Sequence, residues 1–581
     1  MGESEFRKAL RALARRQLWL RPLRLARLGR MVRSRQPRWS GILAKSRSRW
    51  DEARSASRRG PKILIATSTG LHLGLTTVDS LLAVALTLRG ADVSVLLCDG
   101  ALPACQMCEY NWFPDTARFA ATGPQPDLCR PCFEPSAKMF EGLGLPLLRY
   151  STYLSDEDRR NADDIANTLP LDEIKPFVLD GISIGEHAFS GTVRHFASTR
   201  VLDEPFGEEV LRRYLRASLY THAVFQRLLQ EQRFDAVVFH HGIYVPQGTA
   251  AETTRRARVR VVTWNPAYRK HCLIFSHDET YHHTLMNEPT SVWDNIHFDE
   301  ELESMTVQYL ESRRIGSSDW IGFHEKPRFD RAAIARELGI DFTKPCIGLL
   351  TNVVWDAQLH YPNNAFPNMI EWLTDTIRYF ADRPELQLLI RVHPAELLGH
   401  PVSRQPVVAE IARHFPKLPP NVFVLAPDSS HSTYAAMEAC NAVVIYATKT
   451  GVELTSIGLP VIVAGEAWIR HKGLTMDAAD KDTYAKYLEA LPLPARLPPE
   501  QVRRARQYAF HFFFRRMIPL EILAPTGGWP LYRVDLDNLA PLESGASAGL
   551  DVICDGILKG LPFIYPFEAL VKASRDTLAV T

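Results

Sequence analysis

Two segments decide how this chain is read: Leu386-Gln-Leu-Leu-Ile-Arg-Val-His-Pro394 and Ala442-Val-Val-Ile-Tyr-Ala-Thr-Lys-Thr-Gly-Val-Glu-Leu454. The first is an apolar β run that stops on a His-Pro pair. The second is a buried strand, a small polar turn and the start of a helix. Gly458 closes that helix, and Leu459-Pro-Val-Ile-Val-Ala-Gly465 supplies the next strand. Strand, tight turn, helix and parallel strand make a βαβ unit, whose helix N-terminus offers amide donors and a positive dipole end to a phosphate. Lys449, Thr450, Gly451 and Arg391 are candidates to hold that phosphate, and Glu453, one turn into the helix, to take ribose hydroxyls. Between the two segments, Asp428-Ser-Ser-His-Ser-Thr-Tyr434 offers hydroxyls, Ser430 among them, although capping alone would explain one serine there.

Working outward, 581 residues exceed a single core and predict two domains plus extensions. A hydrophobic content of 46% and a charged content of 23% are ordinary for a globular chain. No apolar run reaches the roughly eighteen residues that cross a bilayer. The net charge of +2 hides an asymmetry: residues 1–62 hold nineteen Lys/Arg against four Asp/Glu, +15, which leaves −13 for the rest. Within that arm, Phe6 to Leu20 and on through Leu23, Leu25, Leu28 and Met31 mix Leu and Trp with Arg at helical spacing. The pattern predicts an amphipathic helix over residues 1–35 lying on an anionic membrane surface. A disordered basic tail and a nucleic-acid arm are the alternatives; the Leu and Trp content argues against nucleic acid. Arg interrupts each candidate signal sequence, so the expectation is a cytoplasmic protein, peripheral on the inner face of the membrane, with reduced cysteines.

Lys62-Ile-Leu-Ile-Ala-Thr-Ser68 opens the globular body as a strand. A loop carrying Gly70, His72 and Gly74, a helix over Thr76 to Leu88 and a strand at Val93 to Leu97 complete a first βαβ unit. His72 is a candidate base or acceptor contact, against a plain loop histidine. Cys105-Gln-Met-Cys108 and Cys129-Arg-Pro-Cys132 follow, two Cys-x-x-Cys pairs spaced as in a four-thiolate structural zinc site, with an iron–sulfur cluster or redox pairs as the lesser alternatives. The other five cysteines, Cys98 included, read as packing residues. Phe234 to Tyr244 and Val259 to Trp264 are strands of a further βαβ unit, which brings His240, His241 and Tyr244 to the edge where such sheets bind ligands. After Lys270 to Ser276, His277, Asp278 and Glu279 are acid/base candidates, His277 and Asp278 foremost. Lys344 to Leu350 is the first strand of the second domain, and Asp356, beyond its end, is a carboxylate candidate for orienting an acceptor or stabilising developing positive charge. The boundaries expected are a basic arm over 1–60, an N-terminal Rossmann-like domain over 61–325 with a cysteine insertion at 98–135, a C-terminal Rossmann-like domain over 326–500, and a tail over 501–581 packing back on the N-terminal domain.

Two Rossmann-like halves of α/β class, with Arg391-Val-His-Pro394 followed by Thr450-Gly-Val-Glu-Leu-Thr-Ser-Ile-Gly-Leu-Pro-Val-Ile462, resemble GT-B glycosyltransferases, and more narrowly the capsule polysaccharide biosynthesis family that includes Kdo transferases. The resemblance implies two domains facing a cleft, a nucleotide-sugar donor such as a CMP-activated acid sugar, and a surface polysaccharide or lipid-linked glycan as acceptor. It makes His393 and Pro394 donor-site residues, with Thr450 and Glu453 nearby. The four-cysteine insertion and the basic arm lie outside it. A UDP-sugar epimerase, a polyol-phosphate transferase and a non-catalytic nucleotide-binding scaffold are the competing readings.

Overall fold

The computed structural model describes residues 21–316, 318–320, 322, 327–356, 363–493 and 496–580. The chain forms two compact units: Met1–Thr192, Leu202–Trp264 and Leu520–Pro562 in one, and Val193–Val201, Asn265–Pro519 and Phe563–Thr581 in the other.

In the first unit, β1 (Lys62–Ser68), β2 (Asp92–Leu97), β3 (Leu147–Arg149), β4 (Ala236–His240) and β5 (Arg260–Pro266) pair in parallel in the order β3-β2-β1-β4-β5. The order turns back between β1 and β4, which makes their carboxyl ends the topological switch point. Apart from the edge strand β3, whose residues are half-buried or exposed, these strands carry buried apolar runs rich in Val, Ile and Leu, as a sheet covered on both faces requires. The helix after β1, Leu73–Leu88, is buried on every side apart from the half-exposed Gly74, which fits its nearly uniform apolar composition.

The basic arm is folded where it is described. Helices α1 (Arg21–Arg35), α2 (Trp39–Ala44) and α3 (Arg47–Ser57) bury Val32, Trp39, Leu43 and Trp50, and the Trp50 indole donates to Leu143 O at 3.0 Å. Arg21 pairs with Asp127 at 3.4 Å. Residues 21–57 are therefore a structural part of the first unit, a correction to the free surface arm: their aromatic residues are taken up by protein. Phe6 to Leu20 lie outside the described residues. No helix among the described residues is long and apolar enough to cross a membrane.

In the second unit, β6 (Cys272–His277) pairs antiparallel with a short strand at Ile518–Pro519. Six further strands, β7 (Cys346–Leu350), β8 (Gln387–Arg391), β9 (Val422–Leu425), β10 (Ala442–Ile445), β11 (Val461–Val463) and β12 (Met476–Asp477), are parallel in the order β12-β11-β10-β7-β8-β9. This is the doubly wound order, with its switch point between β7 and β10. The aromatic run Tyr508 to Phe514 lies in this unit's core with Trp293, Val443 and Val461. Residues 501–519 thus belong to the second unit, whereas Leu520–Pro562 lie in the first. Residues 265–316 also fall in the second unit, ahead of the boundary expected near 325.

Candidate functional site

The switch point of the second sheet is built from three strand exits. Beyond β7, the Asn352 side chain reaches the exit of β10, donating from Nδ2 to Ala447 O at 2.6 Å. Thr351 N donates to Arg391 O at 3.2 Å, and the Thr351 hydroxyl accepts the His393 amide at 3.1 Å. The Arg391-Val-His-Pro394 turn is thereby tied to the central strand. The His393 ring is fixed as well, because its Nδ1 accepts the Ala395 amide at 3.1 Å. Burial, reinforced by Lys449 and Arg391, pushes its pKa down to about 4. By exposed surface the His393 side chain is half-buried. A neutral imidazole whose Nδ1 is an acceptor carries its proton on Nε2, so His393 is a fixed hydrogen-bond donor. Pro394 is buried and precedes a single helical turn, Ala395–Leu398.

Four of the residues expected to hold phosphate or ribose have other work. Arg391 is 2% exposed and donates to Ala426 O at 2.5 Å, Ser429 O at 3.3 Å and Thr433 Oγ1 at 3.2 Å, so its guanidinium pins the loop after β9. Glu453 is 4% exposed and accepts from Lys449 at 3.1 Å, pairs with Arg313 at 3.2 Å and accepts the Tyr434 hydroxyl. Burial alone would raise its pKa, but Arg313 and Lys449 hold it down to about 2. The ribose role is corrected: these three partners occupy both carboxylate oxygens. Lys449 lies between Glu453 and the Tyr268 ring, 4.7 Å from its centroid, and burial lowers its pKa. Gly451 is required by packing, since a Cβ there would sit 2.8 Å from Ile445 Cδ1 and 3.0 Å from Ile469 Cγ2. The helix it starts, Thr450–Thr455, has six residues, which leaves a small dipole, and the Thr450 and Thr448 hydroxyls lie 3.2 Å apart. Ser430 is exposed and takes the Arg328 amide on its carbonyl at 2.8 Å, while the helix cap is Ser432.

Gly451→Ala is expected to lower the melting temperature through overpacking by about 1–3 kcal/mol, read by calorimetry. An unchanged melting temperature would show that the two isoleucines yield to the added methyl.

Arg313, Tyr434, Tyr268 and Asn352 were not singled out in the sequence. Arg313 also donates to the Tyr309 hydroxyl at 3.0 Å and to Asp319, and it stacks 4.9 Å from the Phe513 ring centroid. No local signal marks it, because its partners Glu453 and Phe513 lie far along the chain.

Of the acid/base candidates in this unit, Asp356 is exposed after β7 and close enough to Tyr268 and Tyr281 to disfavour their ionisation. His277 stacks on Phe563, with ring centroids 4.3 Å apart. Asp278 is exposed in a left-handed turn, φ 56°, just before the Thr280 cap of the next helix.

In the first unit, His72 caps the helix after β1: its Nδ1 accepts the Leu75 amide at 3.1 Å. The basic nitrogen is thus engaged and Nε2 carries the proton when the ring is neutral, which corrects the general-base role to that of a donor. The His72 ring lies 5.0 Å from that of His240, which lies 4.3 Å from His241; the Nδ1 of His241 accepts the Ile243 amide at 2.9 Å. Backbone strain gathers at this edge, with Ser68 at φ 58°, His241 at 34° and Tyr244 at 58°. These residues flank the switch point of the first sheet.

Cys105 and Cys108 place their sulfurs 3.9 Å apart, and Cys132 Sγ accepts the Leu71 amide at 3.2 Å. Among the described residues, no group of three or more His, Cys, Asp or Glu side chains converges on one point as the ligands of an ion would.

No family model matches the chain, and no curated protein matches it. Among solved structures it is similar to a KpsC β-Kdo 2,4-transferase of Thermosulfurimonas dismutans: 15% identity over 47% of this chain and 79% of that one, TM-score 0.32. It is similar to the KpsC β-Kdo 2,7-transferase of that organism at 15% identity over 49% and 79%, TM-score 0.29. It is also similar to the UDP-GlcNAc 2-epimerase of Methanocaldococcus jannaschii, at 12% identity over 77% and 98%, TM-score 0.27. At these values the likenesses carry no argument, and the functional reading rests on the residues of the chain itself.

Proposed function

We propose that the chain is a GT-B glycosyltransferase moving a sugar from a nucleotide-activated donor, first of all a CMP-linked acid sugar, to a surface polysaccharide or lipid-linked glycan. The observation that supports this best is His393, a neutral donor fixed at the exit of β8 beside the switch point, with Lys449 near it. A donor in place before the leaving nucleotide departs stabilises the charge developing on its phosphate without reorganisation. The charges around it favour a monophosphate over a diphosphate. Arg313 and Lys449 are balanced by Asp319 and Glu453, and the Arg391 guanidinium is directed at a loop. That leaves little positive charge for a second phosphate. Transfer then relies on positioning and directed hydrogen bonds. Asp356 is the candidate acceptor-orienting carboxylate. An anionic membrane surface is the place proposed for the acceptor, with residues 1–20 the part of the arm to meet it.

Thermal melting with CMP, CDP, UDP and GDP, on the wild type and on His393→Ala, tests the reading. A ligand at one hundred times its Kd stabilises the folded state by about 2.7 kcal/mol, a readable rise in melting temperature. The expected result is a rise with CMP that His393→Ala abolishes. A rise with UDP or GDP alone would replace the donor class, and no rise with any nucleotide would overturn the reading.

A further inference from the structure

A cleft of about 650 Å³ opens on the first unit, within the roughly 300–1,000 Å³ usual for small-molecule sites. The helix Gly207–Glu231 lines it with Glu209, Arg212, Arg213 and Arg216, whose spacing keeps them on one side of the helix. Asp163 and Asn167, from the helix Asp156–Thr168, line it as well.

The three guanidinium groups are fixed by protein yet incompletely used. Arg212 donates from Nε to Glu208 at 2.8 Å and from Nη1 to Ala166 O at 2.7 Å and Leu169 O at 2.9 Å. Arg216 pairs through Nε with Asp163 at 2.9 Å and donates from Nη2 to Asn167 Oδ1. Arg213 donates from Nη2 to Ala120 O and lies 5.9 Å from the centroid of the Phe119 ring. Among the described residues, Arg212 Nη2, Arg213 Nη1 and Arg216 Nη1 make no hydrogen bond, and none of these three atoms is cut off from solvent. Arg213 also has no carboxylate partner among the described residues, and burial and the neighbouring Arg216 both disfavour its charge. The fold thus carries here a positive charge that no acid of its own offsets.

The charges select the ligand. Three arginines against Asp163 and Glu209 leave the cleft at +1, and counting Arg159 over the Tyr220 ring and Glu208 beside Arg212 leaves that value unchanged. One carboxylate neutralises it, whereas a phosphate monoester, at roughly −1.5 to −2, overshoots. A carboxylate also matches the planar donor fork of arginine. Beside the arginines, the Asn167 amide nitrogen is a donor and the exposed Glu209 carboxylate an acceptor, a pair suited to hydroxyl groups.

We propose that this cleft binds an acidic saccharide, a sugar ring bearing one carboxylate, which meets the free nitrogens of Arg212, Arg213 and Arg216 while its hydroxyls meet Asn167 and Glu209. Side chains already fixed by the protein lose little freedom on binding, which favours affinity. The cleft lies wholly in the first unit and His393 in the second, so saccharide binding and nucleotide binding are separable. In a chain that extends a surface polysaccharide, the cleft holds a stretch of acceptor already made; that role rests on the transfer reading, and the binding itself does not.

The test is calorimetric titration of the full chain with trigalacturonate, with maltotriose as its uncharged counterpart and inorganic phosphate as the competing anion. Trigalacturonate should bind, more weakly as salt is raised, and maltotriose should not. Arg213→Gln should weaken the uronate by about tenfold or more. Glu209→Gln, an exposed replacement, should tighten it by removing a negative charge, and it decides the matter if Arg213→Gln fails to fold. The rise in melting temperature with CMP, measured on the same proteins, should be equal in all three; its absence would bear on the His393 site alone. No binding of trigalacturonate to the folded wild type, equal binding of maltotriose, or an unaltered affinity in either folded variant would overturn the proposal. Phosphate bound more tightly than the uronate would overturn the carboxylate assignment.

Discussion

Arg313→Ala should destabilise the protein by about 3–5 kcal/mol, a large share of the roughly 5–15 kcal/mol by which a native fold is favoured. The side chains of Arg313 and Glu453 are each 3% exposed, and Arg313 also faces Asp319. Arg313 and Lys449 against Asp319 and Glu453 sum to zero, so truncating the arginine strands a buried negative charge. Lys449 cannot replace it, because it already bonds Glu453 and lies over Tyr268. Restoring neutrality should therefore restore stability: Arg313→Met combined with Glu453→Gln should recover much of what Arg313→Ala loses. The coupling is measurable in a double-mutant cycle by denaturant unfolding. The pH dependence has a definite sign. Glu453 titrates near 2 in the fold against an ordinary value of 4.5, so its contribution is complete above 4.5 and is lost as pH falls from 4.5 toward 2. In Glu453→Gln that acid limb should shrink. An Arg313→Ala protein with wild-type stability would show that water reaches the cluster.

The second βαβ unit was legible in the sequence because its strands are short apolar runs closed by polar or glycine residues. Gln387–Arg391, Ala442–Ile445 and Val461–Val463 lie where those runs lie, and the helix begins at Thr450. The edge position of His393 follows from the same local reading. What local reading misses is the partner. Arg391 looks like a phosphate ligand until Ala426, Ser429 and Thr433 supply three oxygens for its guanidinium. Glu453 looks free until Arg313 and Tyr434 reach it. In the arm, Leu and Trp mixed with Arg fit a membrane face or a protein core equally well by periodicity, and over residues 21–57 burial decides for the core, as where Trp50 meets Leu143 far along the chain.

His393→Ala should lower kcat/KM for sugar transfer by about a hundredfold, the scale measured when one directed donor to a developing oxyanion is removed. The two nitrogens of this ring are already assigned, Nδ1 to the Ala395 amide and Nε2 to donation. His393→Gln, whose amide can still donate from a similar distance, should therefore recover part of the loss; a base would gain nothing from that replacement. The wild-type rate offers an independent check. With the folded imidazole titrating near 4 instead of its usual 6.5, kcat/KM should show no change near pH 6.5 from this residue. Protonation near 4 would add a charge beside Lys449 and Arg391 without removing the donor. A general base at this position would instead lose activity as pH falls through its pKa. A wild-type-like rate for His393→Ala would transfer the catalytic weight to Lys449 and Asp356. An activity that is lost and that His393→Gln fails to restore would mean the ring acts through its shape, stacking or charge rather than through the Nε2 proton.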